Sequence, residues 1–187
     1  MDNGKFPLVM KSMAVFTGAL TTVLLLYGPW RQTDWWLACT ISFGTTAYHF
    51  VMRLAVGYGL LKLTNYDLDY RHPWFQPRKW EAVFYKRLRV RSWKGKLPTY
   101  APSQFSLESQ SLHRVIQNMC GAELVHEIIM VLSFLPLLTV PLWGEFWVFL
   151  ITSALAAVFD SIFVMAQRYN RPRLVRIYEK QEATARE

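Results

Sequence analysis

Four long apolar runs dominate the chain, at about residues 8–28, 35–63, 122–143 and 146–167. Twenty helical residues rise about 30 Å, the thickness of a bilayer's hydrocarbon core, so runs of this length read as membrane-crossing helices. The first carries Lys11 near its start and stops at the Gly28-Pro29 breaker. A secretory signal peptide has a shorter apolar stretch and a small-residue cleavage site, so this run reads as a retained span. The second opens on Trp35 and Trp36, an interfacial pair, and at about 43 Å it must tilt or project into water. The third has Glu123, His126 and Glu127 in its first turns, and Pro136 and Pro141 further on kink or end it. The fourth carries Asp160 near its end. The short Trp143-Gly144-Glu145-Phe146 link makes the third and fourth runs an antiparallel hairpin.

The cations are distributed unevenly. Of 21 Lys and Arg, eleven lie between Lys62 and Arg114 and six between Arg168 and Arg186. The Gly28–Asp34 connection holds only Arg31, and the 143–146 turn holds none. Connections rich in Lys and Arg stay in the cytoplasm. The expectation is an all-α integral membrane protein of about four transmembrane helices, a single membrane domain over 1–187, in the bacterial cell membrane. Both termini lie inside, with a cytoplasmic loop at 64–121 and a cytoplasmic tail at 168–187. The loop alternates aromatic and basic residues (Trp74, Phe75, Trp80, Trp93, Tyr100), a composition that lies in the headgroup layer. The formal net charge of +8 then serves inner-face bias and contact with anionic lipid. We therefore expect membrane lipids as partners and no nucleic acid.

Several classes are excluded. Cys39 and Cys120 are the only cysteines and fall near opposite membrane faces, so neither a disulfide framework nor a multi-cysteine zinc module is encoded. There is no Gly-rich phosphate loop and no G-x-S-x-G elbow.

Ionisable groups at membrane depth cost roughly 2.5–3.5 kcal/mol each at a span's centre, so their positions carry information. Glu123 and His126, three apart, share a helix face. Arg168, Asn170, Arg171 and Arg173 lie at the matching end of the hairpin, and Trp93, Lys94 and Lys96 enter from the loop. His49 and Arg53 share a face of the second run, and Asp160 can supply Arg53 with a counter-ion; this reads as a structural ion pair. A metal site needs three or four ligands, for which His49, Glu123, His126 and Asp160 are the candidates; we expect no metal. Taken alone, the Glu123–His126 pair also reads as a polar pair orienting the span, and the arginine run as a flank binding lipid phosphate.

The run Gln167-Arg168-Tyr169-Asn170-Arg171-Pro172-Arg173-Leu174, with Ala122-Glu123-Leu124-Val125-His126 before it, resembles the glycosyl-4,4'-diaponeurosporenoate acyltransferase family. Trp80-Glu81 through Tyr85-Lys86 to Trp93-Lys94-Gly95-Lys96-Leu97-Pro98 is similar to the family's central stretch. The resemblance covers roughly residues 75–175; the chain before it is similar in hydropathy alone. It implies a staphyloxanthin-type integral membrane acyltransferase of carotenoid and lipid metabolism, which moves a fatty acyl group onto a sugar hydroxyl of a lipid-anchored glycoside.

Chemistry and position suggest the roles on that reading. His126 is the general base on the acceptor hydroxyl, and Glu123 orients its imidazole. Asn170 donates to the developing oxyanion. Arg168, Arg171 and Arg173, with Lys94, Lys96 and Trp93, bind the donor, whose phosphates suit the bidentate arginine fork. The expected donor is a cytosolic co-substrate, acyl-CoA, with no tightly bound cofactor. Two other readings remain open. Arg71-His72-Pro73-Trp74-Phe75 resembles a piece of membrane methyltransferases and steroid-reductase-like enzymes. The charged cluster also suits a small non-enzymatic lipid-binding protein.

Overall fold

The computed structural model describes residues 5–28, 34–65 and 67–186. Among them there are helices and turns and no strand. The long helices are α1 (Lys5–Tyr27) and α2 (Asp34–Thr64). The connector after α2 holds two short helices, α3 (Glu81–Arg87) and α4 (Val90–Trp93), and tighter 3-10 turns at Pro73–Phe75, Lys94–Lys96 and Pro102–Phe105. Then come α5 (Leu112–Leu132), α6 (Val140–Trp143) and α7 (Phe146–Thr184). The Gly28–Asp34 connection with Arg31, expected as an outer turn, falls mostly outside the described residues.

Three stretches are long and apolar enough to cross a membrane: Phe6–Tyr27, Leu112–Trp143 and Phe146–Thr184. The second expected span, α2, has 31 residues but is not among them. Thr40, Thr45, Thr46, His49 and Arg53 dilute its apolar character. Two helices overrun their apolar stretches. The third apolar run opens at 122, whereas α5 already begins at Leu112. Likewise α7 continues through the arginine run and the polar tail to Thr184, with Pro172 inside it. Pro172 withholds the N–H that the Arg168 carbonyl would otherwise accept. Arg, Leu, Glu, Lys, Gln and Ala, all good helix formers, sustain the last turns.

The described residues form two compact units. One comprises residues 5–58 and 128–160. Its outer surface is apolar: Val15 is 72% exposed, Leu142 80% and Leu155 65%. Its interior gathers the polar residues, with Thr17, Thr40, Thr45, His49, Ser133, Ser153 and Asp160 buried beside apolar ones such as Leu24, Ile41, Met52 and Phe149. Water would reverse that pattern; lipid is the solvent that suits it. Several of the buried hydroxyls return to their own helix, as Thr45 does to the Ile41 carbonyl at 2.7 Å and Ser133 to that of Ile129 at 2.8 Å. Side chains also tie helices together. Trp36 Nε1 donates to the Leu24 carbonyl at 2.9 Å, and Tyr48 Oη to that of Leu132 at 2.8 Å.

The two prolines act in this unit. After α5 ends, Pro136 opens a 3-10 turn at Leu135–Thr139 and Pro141 sits in the first turn of α6. Gly144 (φ 71°) and Glu145 (φ 53°) then reverse the chain into α7. Arg53 Nη2 donates to Asp160 Oδ2, and its Nη1 to the His49 carbonyl at 3.1 Å. The His49 ring is buried with no hydrogen-bond partner at either nitrogen. The third member of that expected cluster thus contributes its backbone to Arg53, not its imidazole.

The other unit comprises residues 59–127 and 161–186, so it contains the connector, the first turns of α5 and the last turns of α7. Its core is Tyr70, Phe75, Ile116 and Cys120, with Leu174, Val175 and Tyr178 of α7 packed on it. His72 begins the Pro73–Phe75 turn by accepting the Trp74 N–H on Nδ1 at 3.2 Å. The Arg-His-Pro stretch is therefore a local turn device in this fold. Cys120 is buried and Cys39 half-buried, and both are free thiols.

Candidate functional site

The connector is held onto α5 and α7 by one buried charge cluster. Glu123 and Arg171 are 0% and 2% exposed. Glu123 Oε1 accepts from Arg168 Nη1 at 2.6 Å, and Oε2 accepts from Arg171 Nη1. Arg168 also reaches Glu81 Oε1 from Nε at 2.9 Å and from Nη2 at 2.6 Å. It donates further to the carbonyls of Trp74 (3.1 Å) and Gln76 (3.0 Å). A guanidinium has five N–H groups, and this one makes five hydrogen bonds to four acceptor atoms, Glu81 Oε1 accepting two. Arg171 Nη2 donates to the Phe75 carbonyl at 2.5 Å and its guanidinium lies 5.1 Å from the Phe75 ring centroid. Glu127, one turn beyond Glu123, accepts the Trp74 indole N–H at 2.7 Å.

Two expectations change here. Glu123 was to orient His126, yet both of its oxygens are engaged by arginines. Positions three apart on a helix differ by about 60° around the axis, enough to address different neighbours. Arg168 and Arg171 were to bind the donor's phosphates, yet their donors are committed to carboxylates and backbone carbonyls. Sequence reading missed Glu81, Trp74 and Glu127 as members of this cluster. One signal was available: Glu81 is the single acidic residue between 70 and 107, in a strongly basic stretch. A lone carboxylate in such surroundings points to a paired one.

The remaining expected residues converge elsewhere in the same unit. A cavity of about 390 Å³ is lined by His126, Gln167, Asn170, Arg173 and Lys94. Its apolar walls include Leu97, Tyr100, Phe105, Met119 and Phe163. The His126 ring stacks on Phe163, with centroids 4.6 Å apart and planes 9° from parallel. Lys94 Nζ donates to Asn170 Oδ1. Lys94 and Arg173 both sit on the Tyr169 ring, at 5.0 and 4.5 Å from its centroid. Arg173 Nη2 also donates to the Tyr169 hydroxyl at 2.8 Å. Burial pushes the Lys94 ammonium below the ordinary lysine value, and the charges of Arg173 and Arg91 add to this. Tyr85, buried against Tyr169 at 6.1 Å between ring centroids, is pushed up to about 12 by burial and by Glu81. Trp93 and Lys96 are not among the lining residues: the Trp93 N–H is used on the Leu88 carbonyl at 3.0 Å, and Lys96 is exposed.

Chemically, the cavity offers an imidazole, a carboxamide held by a lysine, and two cations at one end, with apolar walls around them. This combination suits transfer of an acyl group: a base, an oxyanion donor and a place for an alkyl chain. Among the described residues, no three His, Cys, Asp or Glu side chains converge as a metal site.

The chain matches no curated protein and no solved structure. Residues 71–180, however, match the family described as glycosyl-4,4'-diaponeurosporenoate acyltransferase. That stretch holds the charge cluster and every lining residue of the cavity named above. Since it is more than half of the sequence, the chain belongs to the glycosyl-4,4'-diaponeurosporenoate acyltransferase family.

Proposed function

We propose that this protein is a multi-pass cell-membrane enzyme that moves a fatty acyl group from a cytosolic thioester donor, acyl-CoA, to a hydroxyl of a glycolipid. The single observation behind the reading is the cavity that brings together His126, Asn170, Lys94 and Arg173 inside the family-matched stretch. His126 takes the proton of the acceptor hydroxyl, and the oxygen attacks the thioester carbonyl. The Asn170 amide, whose oxygen is occupied by Lys94, is free to turn its N–H₂ to the oxyanion. The C–S bond then breaks, the ester forms, and the thiolate leaves with the proton from His126. The acyl chain lies along Phe105, Met119 and Phe163. With α2 as a fourth crossing, both termini and the connector face the cytosol, where the donor is.

The experiment uses full-length protein in native-lipid nanodiscs with radiolabelled palmitoyl-CoA and polar lipid extract. Wild type should make a labelled glycolipid, and His126→Ala should lose about 10²–10⁴ in rate while remaining folded. Equal labelling by the two proteins would remove His126 as the base. If folded wild type consumes no donor, the protein is a lipid binder instead.

A further inference from the structure

A second, larger cavity in the same unit, about 870 Å³, shares Arg173 with the His126 cavity. Arg168, already paired with Glu81 and Glu123, also lines it, and so do five more cations: Arg78, Lys86, Arg89, Arg91 and Arg176. They come from the connector, α3, α4 and α7. Among the described residues, none of these five is within ion-pair distance of a carboxylate. The one carboxylate in the lining, Glu81, is engaged by Arg168. Five cations gathered without counter-ions repel one another, so the groove is a site for concentrated negative charge. Arg89 sharpens the point. It joins α3 to α4 at φ 51°, a left-handed backbone that arginine adopts only at a cost, and such strain gathers at functional sites.

The shape is as informative as the charge. The volume falls within the range of small-molecule pockets, and Pro77, Ala82, Tyr85 and Pro172 give the groove an apolar side on which a planar ring can lie. Arg173 lines both, so this groove adjoins the cavity in which the thioester would be attacked. A ligand that fits both has a phosphate-dense head with a ring, a linker, and an acyl thioester at the far end. A phospholipid has its acyl chains next to its phosphate and does not match two adjoining cavities of this kind.

We propose that the groove binds the phosphorylated nucleotide head of the donor, so that the donor is a nucleotide-bearing thioester and not an acyl group carried on a protein. The assignment rests on the acyl-transfer reading for its second substrate, but its test does not require turnover. The probe is radiolabelled adenosine 3′,5′-bisphosphate, titrated by equilibrium dialysis against full-length protein in phosphatidylcholine nanodiscs. Arg91→Gln and Arg176→Gln alter exposed side chains outside the buried core. Wild type should bind saturably, and each variant should lose about tenfold, the weight of a charge-assisted hydrogen bond to phosphate. Arg176→Lys should recover most of the affinity. Binding should persist in nanodiscs containing anionic lipid. No saturable binding by wild type, equal binding by the variants, or displacement by anionic lipid would each overturn the proposal, the last in favour of a headgroup site. If the bisphosphate binds as expected while no acyl product forms from palmitoyl-CoA, the groove assignment stands and the transfer reading falls. If product forms but the bisphosphate does not bind, the groove assignment alone falls.

Discussion

Glu123 and Arg171 form a buried ion pair in which the carboxylate is simultaneously bound by Arg168 through its other oxygen. Through those two arginines the connector carbonyls of Trp74, Phe75 and Gln76 are tied to α7. The pair thus fixes the connector, and the connector supplies one wall of each cavity. An arginine-rich motif that reads as a ligand site is, for two of its three arginines, the frame on which the site is built.

Removing the shared carboxylate should therefore act on stability first. Glu123→Gln leaves the buried Arg171 guanidinium without its counter-charge and Arg168 with Glu81 alone, at about 3–5 kcal/mol. The apparent Tm in detergent should fall sharply, and Arg171→Leu should do the same. A Glu123→Gln protein with wild-type Tm and no activity would instead place Glu123 in the chemistry.

Asn170→Ala should behave differently. Losing one oxyanion donor costs about 10²–10³ in kcat. The donor KM and the Tm should change little, because Asn170 is half-buried in the cavity wall and not in the charge cluster. Steady-state kinetics with palmitoyl-CoA give both parameters. A raised KM with unchanged kcat would move Asn170 from the oxyanion to donor binding.

Lys94 carries a pH prediction. Its folded value is lowered from 10.5, by burial first and then by Arg173 and Arg91. The protonated form is the one that attracts an anionic donor. Its contribution is complete below the lowered value and is lost as pH rises through it, before an ordinary lysine would titrate. Donor KM should therefore climb at alkaline pH short of 10.5. Lys94→Arg, which stays charged, should flatten that rise. Stability moves the opposite way: a depressed lysine is a burden while charged, and the burden is relieved as pH rises from the lowered value toward 10.5.

In the other unit, Arg53 and Asp160 are a pair whose halves should not be separated. Asp160→Leu or Arg53→Met alone should cost about 3–5 kcal/mol, while the Arg53→Met/Asp160→Leu double variant should lie closer to wild type. A double-mutant cycle on apparent stability measures the coupling. Additive losses would mean that the pair contributes nothing as a pair.

The reversal before α7 depends on backbone freedom. Gly144 has φ 71° and ψ −140°, a region essentially restricted to glycine. No atom lies within 4 Å of where a Cβ would stand, so the cost of Gly144→Ala is conformational only, about 1–3 kcal/mol. The apparent Tm should fall accordingly. An unchanged Tm would mean that the turn can adopt another conformation.

The apolar runs, the uneven cations, the proline breaks and the family motif were all legible from residue order, because each depends on neighbours along the chain. Hydropathy identified three of the helices that can cross a membrane. The same reasoning could not see that α5 begins at Leu112 or that α7 runs on to Thr184, since polar residues extend helices once tertiary contacts support them. It also placed Glu123, His126 and the arginines near one another without their pairings. Arg168 and Arg171 lie on one side of α7, while Asn170 and Arg173 turn to another, and spacing alone does not say which side meets the connector. Sequence by itself brought Glu123, His126 and the arginines of 168–173 to one end of the hairpin, without Glu81. Tertiary structure decided which of them would neutralise one another and which would line a cavity instead, because that choice depends on distances between residues many positions apart.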